Sequence, residues 1–146
     1  MSQNPKYSEH QETLIALVTH LSMTDWSART PTNLAKALSI ESSEITKVLD
    51  EFKGLFRKSK KKSKKNDDHF YTLQIRHAMQ WLDESEDEGE DDKKPPLETE
   101  ILTKLLDFVI SKSAEERANK ISSIAPWVAL FGTLIVAGLA IVFKGS

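Results

Sequence analysis

The chain has 146 residues, a formal net charge of −2, 39% hydrophobic and 29% charged residues, enough for about one soluble domain with additions. It has no cysteine, which excludes disulfide staples, thiol catalysis and thiolate zinc sites, and with them a secreted disulfide framework. Charge is segregated along the chain: residues 1–82 carry 13 Lys and Arg against 9 Asp and Glu, whereas residues 83–94 carry 2 against 8, so modules with different roles are expected.

In chain order, residues 1–82 are expected to fold as three helices and a β-hairpin. Ser8 and Gln11 form a capping-box pattern ahead of Leu14, Ile15, Leu17, Val18 and Leu21, which share one helical face. The apolar run 14–18 is too short for a signal peptide. Thr30 is a candidate N-cap with Pro31 at the first helical position, and Leu34, Ala35, Ala37 and Leu38 continue a short second helix. Ile45, Val48, Leu49 and Phe52 mark a third helix ending near Gly54. Tyr71, Leu73 and Ile75 alternate as the inner face of a strand.

The segment PTNLAKALSIESSEITKVLDEF resembles the helix-turn-helix of the winged-helix superfamily. Ala35 fills the small-residue position of the first helix, Ile40 resembles the apolar residue after the turn, and Ile45 and Val48 resemble inward positions of a recognition helix. Ser39 stands where the family usually has Gly. GLFRKS and HFYTLQIR resemble the two wing strands, so the resemblance spans roughly residues 8–78 and implies a mainly α fold with a hairpin wing. It also implies a recognition helix displaying Ser42, Ser43, Thr46 and Lys47. Glu41, Glu44, Asp50 and Glu51 lie on the same outward arc, and acidic side chains oppose phosphate, so readout by this helix is weakly supported.

The wing has the opposite sign. Arg57, Lys58, Lys60, Lys61, Lys62, Lys64 and Lys65 place seven positive charges in nine residues, before the turn residues Asn66, Asp67 and Asp68. Such a cluster attracts a polyanion, either nucleic acid or anionic lipid, with strong salt dependence and little regard for sequence.

Residues 83–96, DESEDEGEDDKKPP, form an acidic low-complexity linker with nothing apolar to bury, expected to be disordered and to act as a solubilising spacer, the alternative being a segment that competes for the wing. Residues 97–123 are expected to be amphipathic and juxtamembrane. Ile101, Leu102, Leu105, Phe108 and Val109 form one helical face, too short for a coiled coil, and Ser113 with Glu116 suggests a fresh helix start. That first helix could pair with a second copy, dock on a partner or lie on the bilayer.

Residues 124–143 contain no charge and, as a helix, reach about 30 Å, the thickness of a bilayer's hydrocarbon core. Lys112, Arg117 and Lys120 precede this span and Lys144 alone follows it, so a tail anchor with its N-terminal module in the cytoplasm is expected, leaving a short tail at 144–146. Ala125, Ala129, Thr133 and Ala137 form a small-residue stripe suited to self-association.

No spacing among His10, His20, His69 and His77 suggests metal ligands, and no nucleophile or phosphate-loop motif occurs, so neither catalysis nor a cofactor is expected. The leading expectation is a membrane-tethered winged-helix protein that binds nucleic acid through its wing. The alternative is an adaptor or assembly protein that uses the same fold for contacts with a protein partner, its wing resting on anionic lipid.

Overall fold

The computed structural model describes residues 4–80 and 93–120. The acidic run 83–92, the apolar span 124–143 and its stripe of Ala125, Ala129, Thr133 and Ala137 lie outside the described residues. Among the described residues no helix is long and apolar enough to cross a membrane.

The described residues are mainly helical, with a two-stranded antiparallel hairpin. A 3₁₀ turn, Tyr7–Glu9, leads into α1 (Gln11–Met23). Then follow α2 (Pro31–Leu38), α3 (Ser42–Glu51), β1 (Phe56–Lys62), β2 (His69–Leu73), α4 (Gln74–Gln80) and α5 (residues 99–120).

Local chemistry sets several boundaries. Thr30 caps α2, its hydroxyl accepting from Asn33 N at 3.3 Å, and Pro31 occupies the first turn, where a missing N–H costs nothing. Ser39 ends α2 in the left-handed conformation (φ 55°), the geometry for which glycine is usual. The first capping box does not form. His10, not Ser8, precedes α1, and it makes no side-chain cap bond. The chain spends Ser8 in the 3₁₀ turn, whose amides are capped from the far end of the chain by Glu116.

The core joins Leu14, Leu17, Val18 and Leu21 of α1 to Leu34 of α2 and to Ile45, Val48 and Leu49 of α3. Phe56 and Leu73, paired across the hairpin, close it from below. β2 is buried along most of its length because it has a neighbour on each side. β1 pairs with it on one edge, and on the other Arg29 and Tyr71 exchange backbone hydrogen bonds of 2.9 and 2.8 Å. The strand stops at Leu73. Ile75 belongs to α4 and packs half-buried on the core, so the expected alternation ends one residue pair early.

The largest departure concerns residues 93–120. The linker's last residues, expected to be disordered, are pinned: Lys94 N donates to Asp25 O at 2.9 Å, and Leu97 N donates to Ser22 O at 2.9 Å. Arg76, fully buried, donates to the carbonyls of Leu21 (2.7 Å), Lys94 (2.9 Å) and Pro95 (3.1 Å). A guanidinium fork suits this junction, where the end of a helix and a proline segment present acceptors.

α5 then lays its apolar face on the chain's own body; Leu97, just before it, and Val109 join the common core, and the Phe108 and Tyr7 rings meet edge-to-face with their centres 5.7 Å apart. The second capping box also fails, since α5 runs unbroken through Ser113. That side chain is buried on the docked face, and Glu116, one turn further, accepts from Tyr7 N (2.9 Å) and Ser8 N (2.8 Å). Burial acts to raise the Glu116 pKa; the two amides and nearby Lys6 outweigh it, and the net shift is downward.

Candidate polyanion interface

The hairpin that carries the basic residues is anchored along its length. Phe56 pairs with Leu73, Arg57 with Thr72 and Lys58 with Tyr71; the register is irregular between Lys58 and Lys62, which pairs with His69. Ser59 and Ser63 are both 5% exposed, so the two serines that interrupt the basic run point inward while Lys60, Lys61, Lys62, Lys64 and Lys65 point to solvent. The serines also shape the strand and turn. Ser59 Oγ accepts from Lys61 N at 3.2 Å, and Ser63 Oγ accepts from Lys65 N at 3.3 Å. His69 Nδ1 donates to Ser59 O at 2.9 Å.

The turn closes through Ser63 N to Asp68 O (2.7 Å) and Asp67 N to Ser63 O (3.0 Å), with Asp67 left-handed at φ 52°. Asp68 also accepts a hydrogen bond from the Thr32 hydroxyl, tying the tip of the wing to the first turn of α2. The sequence suggests the turn residues but gives no sign of this tether.

Of the basic residues, Arg57 is half-buried and the lysines are exposed. Lys58 Nζ lies 3.7 Å from Asp50 and 5.9 Å from the centre of the Tyr71 ring; Lys62 Nζ lies 3.8 Å from Asp67. Exposed pairs of this kind are worth about 0–1 kcal/mol and exchange readily for another anion. The cluster therefore keeps most of its attraction for a polyanion.

On α3, Ser42, Ser43 and Lys47 are exposed, but Thr46 uses its hydroxyl within the helix, donating to Ser42 O at 2.8 Å. The acidic side chains of this helix are less available than their spacing suggests. Glu44 and Glu51 flank His10, at 3.0 Å from Nδ1 and 3.7 Å from Nε2, beneath which Phe52 packs edge-on. Asp50 accepts from the Tyr71 hydroxyl at 2.6 Å. Burial, then this bond and the charges of Asp50 and Asp68, push the Tyr71 pKa upward, so the phenol keeps its proton and the contact. Three of the four carboxylates are thus drawn onto the domain. Nothing in local sequence spacing foretells these partners, because His10 and Tyr71 are distant in the chain.

The structure consequently sets the wing beside α2 and the last turn of α3, through Thr32–Asp68 at its tip and Lys58–Asp50 at its base. No protein family, curated protein or solved structure matches this chain.

Proposed function

We propose that the folded unit is winged-helix-like and binds nucleic acid at the cytoplasmic face of a membrane to which the 124–143 span anchors it. The observation that carries this reading is the braced hairpin. Its inward serines turn Lys60, Lys61, Lys62, Lys64 and Lys65 outward on a rigid support rather than on a loose tip. The order α1, an edge pairing at Arg29, α2, α3 and a two-stranded wing supports the winged-helix reading.

Phosphate attraction by lysine ammonium groups does not by itself discriminate nucleic acid from anionic lipid. The test uses the full chain in zwitterionic detergent micelles, because a fragment ending at residue 82 would lack α5 and uncover the core. Binding to duplex DNA, single-stranded DNA, RNA and inositol trisphosphate, a soluble anionic lipid headgroup that the apolar span cannot hold, is measured across a salt series. Nucleic-acid affinity that falls linearly on a log–log salt plot supports the proposal. Headgroup binding without nucleic-acid binding overturns it in favour of the adaptor reading.

A further inference from the structure

Between the tip of the wing and the start of α2 lies a cleft of about 310 Å³, lined by Trp26, Arg29, Asn33, Lys65, Asn66 and Phe70. Among the described residues no carboxylate lines it. Its walls are fixed. The backbone N–H and C=O of Arg29 both bond to Tyr71, Trp26 pairs with Lys93, whose Nζ sits 5.3 Å from the ring centre, and the Thr32–Asp68 contact holds the wing against α2.

Arg29 is the unexplained member. It is half-buried, it has no ion-pair partner among the described residues, and its Nε is buried without a hydrogen-bond partner. A partly desolvated cation left in this condition is costly unless an anion completes it. The neighbouring His20 feels that charge: burial first, and Arg29 second, lower its pKa.

We propose that this cleft seats one unpaired nucleotide, its base against Trp26 and Phe70, its phosphate on Arg29 and Lys65, and its polar edge within reach of the Asn33 and Asn66 amides. The inference rests on the nucleic-acid reading and gives it a ligand class, namely single-stranded rather than duplex. In a duplex the faces of the bases are covered by stacking and only their edges are open, whereas an unpaired base offers a face to an aromatic wall. The volume lies at the lower end of small-ligand sites, about 300–1,000 Å³, which suits one base and not two.

The experiment uses the full chain in zwitterionic micelles with Trp81→Phe and Trp127→Phe, so that emission reports Trp26. It is titrated with a short oligothymidylate, with a duplex of the same length and with inositol trisphosphate as a soluble anionic lipid headgroup, binding being followed in parallel by anisotropy of labelled nucleic acid. The expected result is quenching by oligothymidylate and little by duplex or headgroup. Trp26→Ala should weaken oligothymidylate binding by about 5- to 100-fold while leaving duplex binding nearly unchanged. Because Trp26 also holds Lys93, Arg29→Gln and Asn66→Ala serve as variants that spare that pairing. Arg29→Gln should reduce the oligothymidylate salt slope by about 0.7. If oligothymidylate binds by anisotropy while Trp26 emission does not move, or if all three variants bind it like the parent, the cleft is not its seat, although the wing reading stands. Stronger quenching by the headgroup than by oligothymidylate also overturns the assignment, and absence of all nucleic-acid binding overturns both.

Discussion

Arg76→Met should cost the fold about 3 kcal/mol, a figure worked from the three carbonyls its guanidinium serves. Methionine keeps the apolar stem but donates nothing. Leu21 is fully buried, so its carbonyl carries most of the penalty for going without a donor, about 1–3 kcal/mol. Pro95 is exposed and Lys94 half-exposed, so water replaces much of what the guanidinium gave them and each adds only about 0.5–1 kcal/mol. Relief from burying a charge offsets part of the total. For a domain of this size 1 kcal/mol moves the melting temperature by about 4–8 °C, giving a drop of roughly 12–24 °C. The assay is thermal unfolding of the full chain in micelles by circular dichroism, with hydrogen exchange at Leu97, whose amide bonds to Ser22 beside the same junction. Arg76→Lys should fall between parent and Met variant, since one ammonium cannot span the fork. A Met variant melting within about 3 °C of the parent would refute the assignment of Arg76 as the clamp between α1 and the segment leading into α5.

Glu116→Gln should lower the melting temperature at neutral pH by weakening the cap on Tyr7 and Ser8. The folded-state pKa of Glu116 is depressed, so its stabilisation is complete above the unfolded carboxylate value of about 4.3 and is lost as pH falls through the lower folded value. The gap between parent and variant should therefore close in acid, and a gap that stays constant down to pH values near 3 contradicts the cap. Truncation after Ser123 should move the protein from membrane to soluble fraction, because the apolar face of α5 is already occupied by the core; retention after a high-salt wash would contradict the anchor. Deleting residues 83–92 removes eight carboxylates and should tighten nucleic-acid binding at low salt, and unchanged affinity would show that this run does not compete for the wing.

The features legible in the sequence were those encoded locally. Thr30 and Pro31 announce α2, the spacing of Ile45, Val48, Leu49 and Phe52 announces α3, and Asn66-Asp67-Asp68 announces the turn that the hairpin adopts. What escaped depends on contacts between distant positions. Glu116 and Tyr7 are 109 residues apart, and in a local reading Glu116 belongs to a capping box with Ser113. Both capping boxes failed because of tertiary packing: Glu116 caps the distant Tyr7 and Ser8 amides instead of its own helix, and Ser113 is buried inside an unbroken α5. Arg76 reads as one more surface cation, and only the fold shows it buried against three carbonyls. At the interface, the basic residues were plain from composition. The inward role of Ser59 and Ser63, the pairing of Glu44 and Glu51 with His10, and the cleft at Arg29 required the folded chain.

The central claim is that the braced wing holds nucleic acid by charge. Its most direct test is the salt dependence of nucleic-acid affinity for the full chain and for a variant with Lys60, Lys61, Lys62, Lys64 and Lys65 all changed to Gln. These side chains point away from the core, so the fold should persist. The account predicts that affinity falls roughly uniformly across sequences and that the log–log salt slope on duplex DNA shrinks by up to about 0.9 for each phosphate the variant no longer neutralises. Equal affinity and equal slope for variant and parent at every salt concentration would contradict it.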